Sequence, residues 1–146
     1  MKNCLIPLIF LSFTVKAQVP FNDKYKDCAT VDPCLYCGDT PARYKSDLVE
    51  RIQRNLDRGA SRWMSTSGRM FFEILVDSTG HSCVLSIKDE THVADVKDNI
   101  RRCINNLWDW APAQLNHRAV NSTVILESYF IGGAARVGLV KLEELK

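Results

Sequence analysis

The residues of this chain best suited to chemistry are its cysteines. Six occur, and five of them (Cys28, Cys34, Cys37, Cys83 and Cys103) lie beyond the first apolar stretch. Three are crowded into "CATVDPCLYC". Such a run suits a disulfide framework, a zinc site or a thiol–disulfide exchange pair. Structural zinc takes four ligands, and no nearby histidine has a spacing that completes a set with these thiols. Redox cysteines usually sit at a helix N-terminus, where the dipole lowers the thiol pKa. Cys34 and Cys37 instead precede the first helix signal by several residues, within "DPCLYCGDTP". Structural disulfides are therefore the leading expectation, with redox use of Cys34 and Cys37 behind it. Five is odd, so at least one thiol stays out of such a framework.

Other catalytic signals are weaker. His81, His92 and His117 fall in a turn, a loop before a helix and a turn. Asp77-Ser78 opens "DSTG", which is turn chemistry with Gly80 free to take positive φ, and no base is fixed beside the serine. "IGGAARVG" has the wrong glycine spacing for a phosphate loop and no Lys-Ser or Lys-Thr after it. Asn121-Ser122-Thr123 fits a glycosylation sequon but lies inside a strand pattern. The expectation is a non-enzyme with no cofactor and no metal.

The start of the chain bears on the cysteines. "MKNCLIPLIFLSFTVKAQ" has a basic start, a short apolar core and a small residue before Gln18, the layout of a secretory signal cut after Ala17. Its apolar core is shorter than the roughly 20 residues that span a bilayer. An uncleaved N-terminal anchor is the rival reading. Export leads to an oxidising compartment, where disulfides persist. The segment carries Lys2 and Lys16 and no acid, so its removal takes the formal charge from +2 to about zero. A neutral chain is a poor partner for nucleic acid, whose non-specific affinity comes from excess cations. No other segment is apolar enough to cross a membrane.

Four parts follow: a signal peptide, 1–17; a cysteine-bearing extended lead-in, 18–37; one domain, 38–131; and a tail, 132–146. The domain opens with a predicted helix in "GDTPARYKSDLVERIQRNL", with Thr40 as N-cap and Pro41 at the first position. Tyr44, Leu48, Ile52 and Leu56 form its apolar stripe. "RMFFEILVDSTGHSCVLSIK" reads as a β-hairpin, with Met70, Phe72, Ile74 and Val76 on one face of its first strand. Cys83, Leu85 and Ile87 share a face of its second. Val93, Val96, Ile100, Cys103 and Leu107 fall at helical spacing among charged residues. Pro112 disfavours helix at Ala111. A final alternation runs from Val120 to Phe130. The order helix, strand, strand, helix, strand predicts an α+β domain: a three-stranded antiparallel sheet with two helices packed on one face. Cys83 and Cys103 should then meet at one interface, as a disulfide or as two buried thiols. Cys28 has the spacing to pair with Cys34 or Cys37. The tail bends at two glycines and then shows Leu139, Leu142 and Leu145 at three-residue spacing, the pattern of a short helix.

Residues 38–130 resemble the C-terminal domain of the TonB family, the energy transducers that act on outer-membrane transporters. The likeness rests on "GRMFFEILVDSTGHSCVLSI", a helix of variable sequence, then Trp110, Pro112 and Ala113 as "W-x-P-A", and a turn before Val120. Family members usually carry Asn-Gly in that turn; this chain has Asn116-His117. "GDTPARYKSDLVERIQRNL" also looks like the first helix of stand-alone exported members. The resemblance implies that Trp110 and Pro112 form a structural elbow that sets the register of the last strand. Trp108 and Trp110 are read as packing residues, with a ligand-binding aromatic surface as the other reading. It further implies that the last strand is a sheet edge that captures an extended transporter peptide by strand addition. Ser122, Thr123, Val124, Ile125, Leu126, Glu127, Ser128 and Tyr129 would be the rail, with Thr123, Ile125, Glu127 and Tyr129 outward from the helices. An ordinary solvated sheet face is the alternative for those four. A tail folded over that strand would block peptide addition. The chain shows no proline-rich span of the kind a transducer uses, with five prolines in all. The expected role is thus protein binding in the periplasm or cell envelope, with a transporter peptide as partner. The alternative is a structural or self-associating homodimer of the same fold.

Overall fold

The structure, a computed structural model, describes residues 21, 23–28, 34–57, 67–91, 94–131 and 134–141. The signal segment lies outside the described residues, as do His92 and Val93. The elements are β1 (Asp23–Lys24), β2 (Arg43–Tyr44), α1 (Leu48–Asp57), β3 (Gly68–Val76), β4 (Ser82–Asp89), α2 (Ala94–Asn105), β5 (Trp110–Ala111), β6 (Ala113–Leu115), β7 (Arg118–Val120), β8 (Ser122–Ile131) and β9 (Ala134–Leu139). The fold is α+β. Its main sheet has five strands in the order β1-β4-β3-β8-β9, all antiparallel, rather than the three expected. The lead-in supplies one added strand and the tail the other.

Both helices pack on one face of this sheet. Leu48 and Ile52 of α1 and Val96, Ile100 and Ile104 of α2 join Met70, Phe72, Ile74 and Val76 of β3 and Val124, Leu126 and Phe130 of β8 in one core. Helix α1 starts later than predicted. Thr40 is not its cap; the Asp47 carboxylate accepts the Glu50 N–H at 2.8 Å and caps it instead. Residues 40–44 are held extended by distant partners. Thr40 and Gln114 exchange backbone hydrogen bonds, and Arg43–Tyr44 pairs with Trp110–Ala111. Tyr44 leaves the helical stripe and meets Trp110 edge-on at 5.3 Å.

The β3–β4 pairing contains a bulge. Glu73 faces Ser86 and Ile74 faces Val84, so Leu85 is an extra residue on β4. A one-residue slip in a strand exchanges its faces. Ile87 and Val84 therefore face the helices, whereas Cys83 faces away with Leu75 and Leu85. This corrects the reading of Cys83, Leu85 and Ile87 as one face. The Val84 N–H donates to the Asn105 side chain of α2 at 2.9 Å, which fixes the bulge against that helix.

The turn between β3 and β4 behaves as its sequence suggests. Gly80 has φ of 88°, and a Cβ there would lie 2.5 Å from the Trp110 carbonyl oxygen. Partial burial pushes the Asp77 carboxyl up. Hydrogen bonds from the Thr79 side chain and from the His81 and Thr79 backbone, with the charge of His81, outweigh this and hold it below its ordinary value.

Candidate functional site

The residues singled out for binding all lie on β8. On one side this strand pairs with β3 along its length, from Ser122 opposite Val76 to Phe130 opposite Gly68. Its other side is not an edge. Leu126 to Ile131 pair with Leu139 to Ala134 of β9, so the tail begins as a strand; Leu142 and Leu145, on which the expectation of a short helix rests, lie outside the described residues. Ile131 and Ala134 face each other, and the two residues between them are Gly132 and Gly133. Gly-Gly between two strands is a hairpin signal, and it was legible in "IGGAARVG".

The remaining stretch of β8 is covered by the lead-in. Leu35 bridges Thr123 in parallel fashion. The Tyr36 N–H donates to the Thr123 carbonyl at 2.8 Å, and the Thr123 N–H donates to the Cys34 carbonyl at 2.9 Å. The Cys37 N–H donates to Ser122 Oγ at 2.9 Å. Further along, the Ile125 N–H donates to the Tyr36 hydroxyl at 3.2 Å, and that hydroxyl donates to the Val140 carbonyl. The Val140 N–H closes the set on the Ile125 carbonyl at 2.9 Å. The expected edge strand is thus an interior strand, because a long run of apolar alternation leaves backbone groups that residues of the lead-in and of β9 satisfy.

Side chains of β8 divide as the alternation predicts, with a difference along the strand. Ser122, Val124, Leu126, Ser128 and Phe130 are buried. Of the four on the opposite face, Thr123 and Ile125 are also buried, at 0% and 1% exposure. Phe21, Leu35 and Phe71 pack around Ile125 and Val140 there, with the Phe21 and Phe71 rings stacked at 6.3 Å. Glu127 and Tyr129 lie past the lead-in and reach solvent. Together with Arg69, Arg136, Val137 and Gly138 they line an open pocket of about 370 Å³. Arg69 pairs with Glu127 at 3.6 Å and lies 5.3 Å from the centre of the Tyr129 ring.

Two cysteine pairs lie at disulfide distance: Cys28 with Cys83, and Cys34 with Cys37. Such pairs suit an oxidising, exported environment. The expected Cys83–Cys103 bond does not form, because the bulge turns Cys83 away from α2 while Cys103 packs against the helix-side core. Nor does Cys28 join Cys34 or Cys37. The Cys28–Cys83 bond pins the lead-in to β4, and β1 pairs beside it, Asp23 with Ile87 and Lys24 with Ser86.

The elbow is split. Trp110 is 1% exposed and belongs to the core, Pro112 is half-buried, and Ala113 is buried. Trp108 is 67% exposed and meets the His81 ring edge-on at 4.2 Å, so the packing role assigned to it applies to Trp110 alone. Asn116 and His117 take φ of 51° and 62° and close the β6–β7 hairpin. Positive φ at both central residues suits a two-residue hairpin loop, and asparagine and histidine are more tolerant of it than most residues. No protein-family model, no curated protein and no solved structure matches this chain.

Proposed function

We propose that this chain is an exported protein-binding module of the TonB C-terminal type, which captures an extended peptide of a cell-envelope protein by strand addition. The observation that carries this reading is β9. It is the outermost strand of the sheet, and among the described residues none pairs with its outer side. Such an edge offers backbone N–H and C=O groups to an incoming strand. Relative to the rail expected from sequence, the docking position moves one strand outward, from Ser122–Tyr129 to Ala134–Leu139. Backbone pairing supplies affinity. Preference comes from the side chains beside the edge: exposed Leu139 on the helix side, and Arg136 with the Arg69–Tyr129 pair on the other.

The likeness to the TonB domain supports an outer-membrane transporter peptide as the partner and the periplasm as the compartment. The buried Trp110 and the Asn116-His117 turn agree with the roles that likeness assigns to them. Among the described residues no helix is long and apolar enough to cross a membrane.

The test is a photo-crosslinker placed at Leu139 in the native envelope, with a second at Thr123. Recovery of a transporter N-terminal or plug peptide from Leu139, and none from Thr123, supports the reading. Crosslinks only between copies of the chain favour the second reading, a self-associating homodimer. Exposed Ile131 and Leu139, at the two ends of the β8–β9 hairpin, are suited to burial in such a dimer.

A further inference from the structure

We infer that Cys34–Cys37 is a thiol–disulfide exchange site, and that its reduction by a dithiol partner releases the lead-in from the outer side of β8. The inference stands apart from strand addition at β9, since it concerns residues 122–125. The two cysteines are three residues apart and close a small covalent ring. That ring is laid directly on β8. Its Cys34 carbonyl and Tyr36 N–H take the two backbone groups of Thr123, and its Cys37 N–H takes Ser122 Oγ. The Tyr36 hydroxyl extends the contact to Ile125 and Val140. Tyr36 sits at φ of 50°, a left-handed conformation that is unfavourable for a tyrosine. The cross-link holds it there.

The two disulfides differ in access. Cys34 is exposed, whereas Cys28 is buried against Leu75 and Leu85. A thiolate of the dithiol attacks the Cys34 sulfur; the Cys34–Cys37 bond breaks, and Cys37 leaves as a thiolate and takes a proton. The second thiol of the partner then attacks the mixed disulfide, releasing Cys34 as a thiol and leaving the partner as a disulfide. Two electrons and two protons pass to the protein. Without the ring, the turn must hold its positive φ and three contacts through non-covalent forces alone. Its bound state then loses the advantage that closing a four-residue loop provides, about tenfold or more in population.

The test is mild dithiothreitol on the oxidised protein, followed by alkylation with mass analysis and by amide hydrogen exchange. Selective labelling of Cys34 and Cys37, with Cys28 and Cys83 unlabelled, is expected. The Thr123, Tyr36 and Ile125 amides should exchange about tenfold faster, while those of Phe72 and Ile74 stay unchanged. The Cys34→Ser/Cys37→Ser variant should show the fast pattern without reductant and no response to it. Reduction of Cys28–Cys83 first would overturn the inference, as would labelling of Cys34 and Cys37 with no change at Thr123.

Discussion

The outer face of the sheet carries the same alternation from end to end, yet its two ends have different fates. At one end Phe71, Leu75, Cys83 and Ile125 lie beneath Phe21, Cys28 and Leu35 of the lead-in. At the other, Arg69, Glu127, Tyr129 and Arg136 border an open pocket. The residue types match these fates. The covered end is mainly aliphatic and aromatic, with one buried carboxylate, Glu73, that accepts a hydrogen bond from the Ser86 hydroxyl; the open end is charged, with a single tyrosine. Burial of the apolar end stabilises the fold, while the charged end loses little by staying wet. The lead-in therefore acts as part of the core, and the remaining open surface is the place where recognition is least costly to the fold.

The sharpest way to break this contrast is to unpin the cover. Replacing both Cys28 and Cys83 by alanine removes a cross-link that spans 55 residues. Unfolding in guanidinium should show a loss of about 4 kcal/mol; a loss under about 1 kcal/mol would mean that the lead-in holds its place without the bond. Next in size is a paired truncation on β8. Ile125→Ala should cost about 3 kcal/mol, and Tyr129→Ala under about 1 kcal/mol, because only the first leaves a cavity. Equal costs for the two would show that the ends do not differ in burial.

The smallest effect concerns the turn at the covered end. The Asp77 carboxyl is held below its ordinary 3.8, so its contribution to stability is complete above that value. It is lost as pH falls through the lower folded-state value. Wild type should therefore lose slightly more stability than Asp77→Ala between pH 5 and about pH 2, as read by thermal melts. Identical pH profiles would show that the turn does not depend on this charge.

Several elements were readable because their signals are local. The alternation at Met70, Phe72, Ile74 and Val76 fixed a strand and its core face. The stripe of Val96, Ile100 and Cys103 marked the inner face of α2, and Ile104, not included in that stripe, joins it fully buried; Leu107, also in the stripe, is buried just past the helix end. The turn at Asn116-His117 took the positive φ its residues tolerate. The candidate site was less legible. Its strand was identified, but what flanks it was not. Gly132-Gly133 announced a hairpin, and residues 134–139 form its second strand; the leucine spacing at Leu142 and Leu145 lies outside the described residues.

The sequence by itself determined the periods, the turns and which residues are apolar. These depend on interactions within about four positions along the chain, which a single strand or helix expresses alone. Tertiary structure decided the rest. It chose Asp47 over Thr40 as helix cap, because residues 40–44 found partners near Trp110 and Gln114. It placed the bulge at Leu85, which sent Cys83 to Cys28 rather than Cys103. It also brought residues 34–37 of the lead-in and 134–140 of the tail to the outer side of β8. Each of these choices compares contacts tens of residues apart, and a change of one residue in register exchanges the faces of a strand while leaving its local pattern intact.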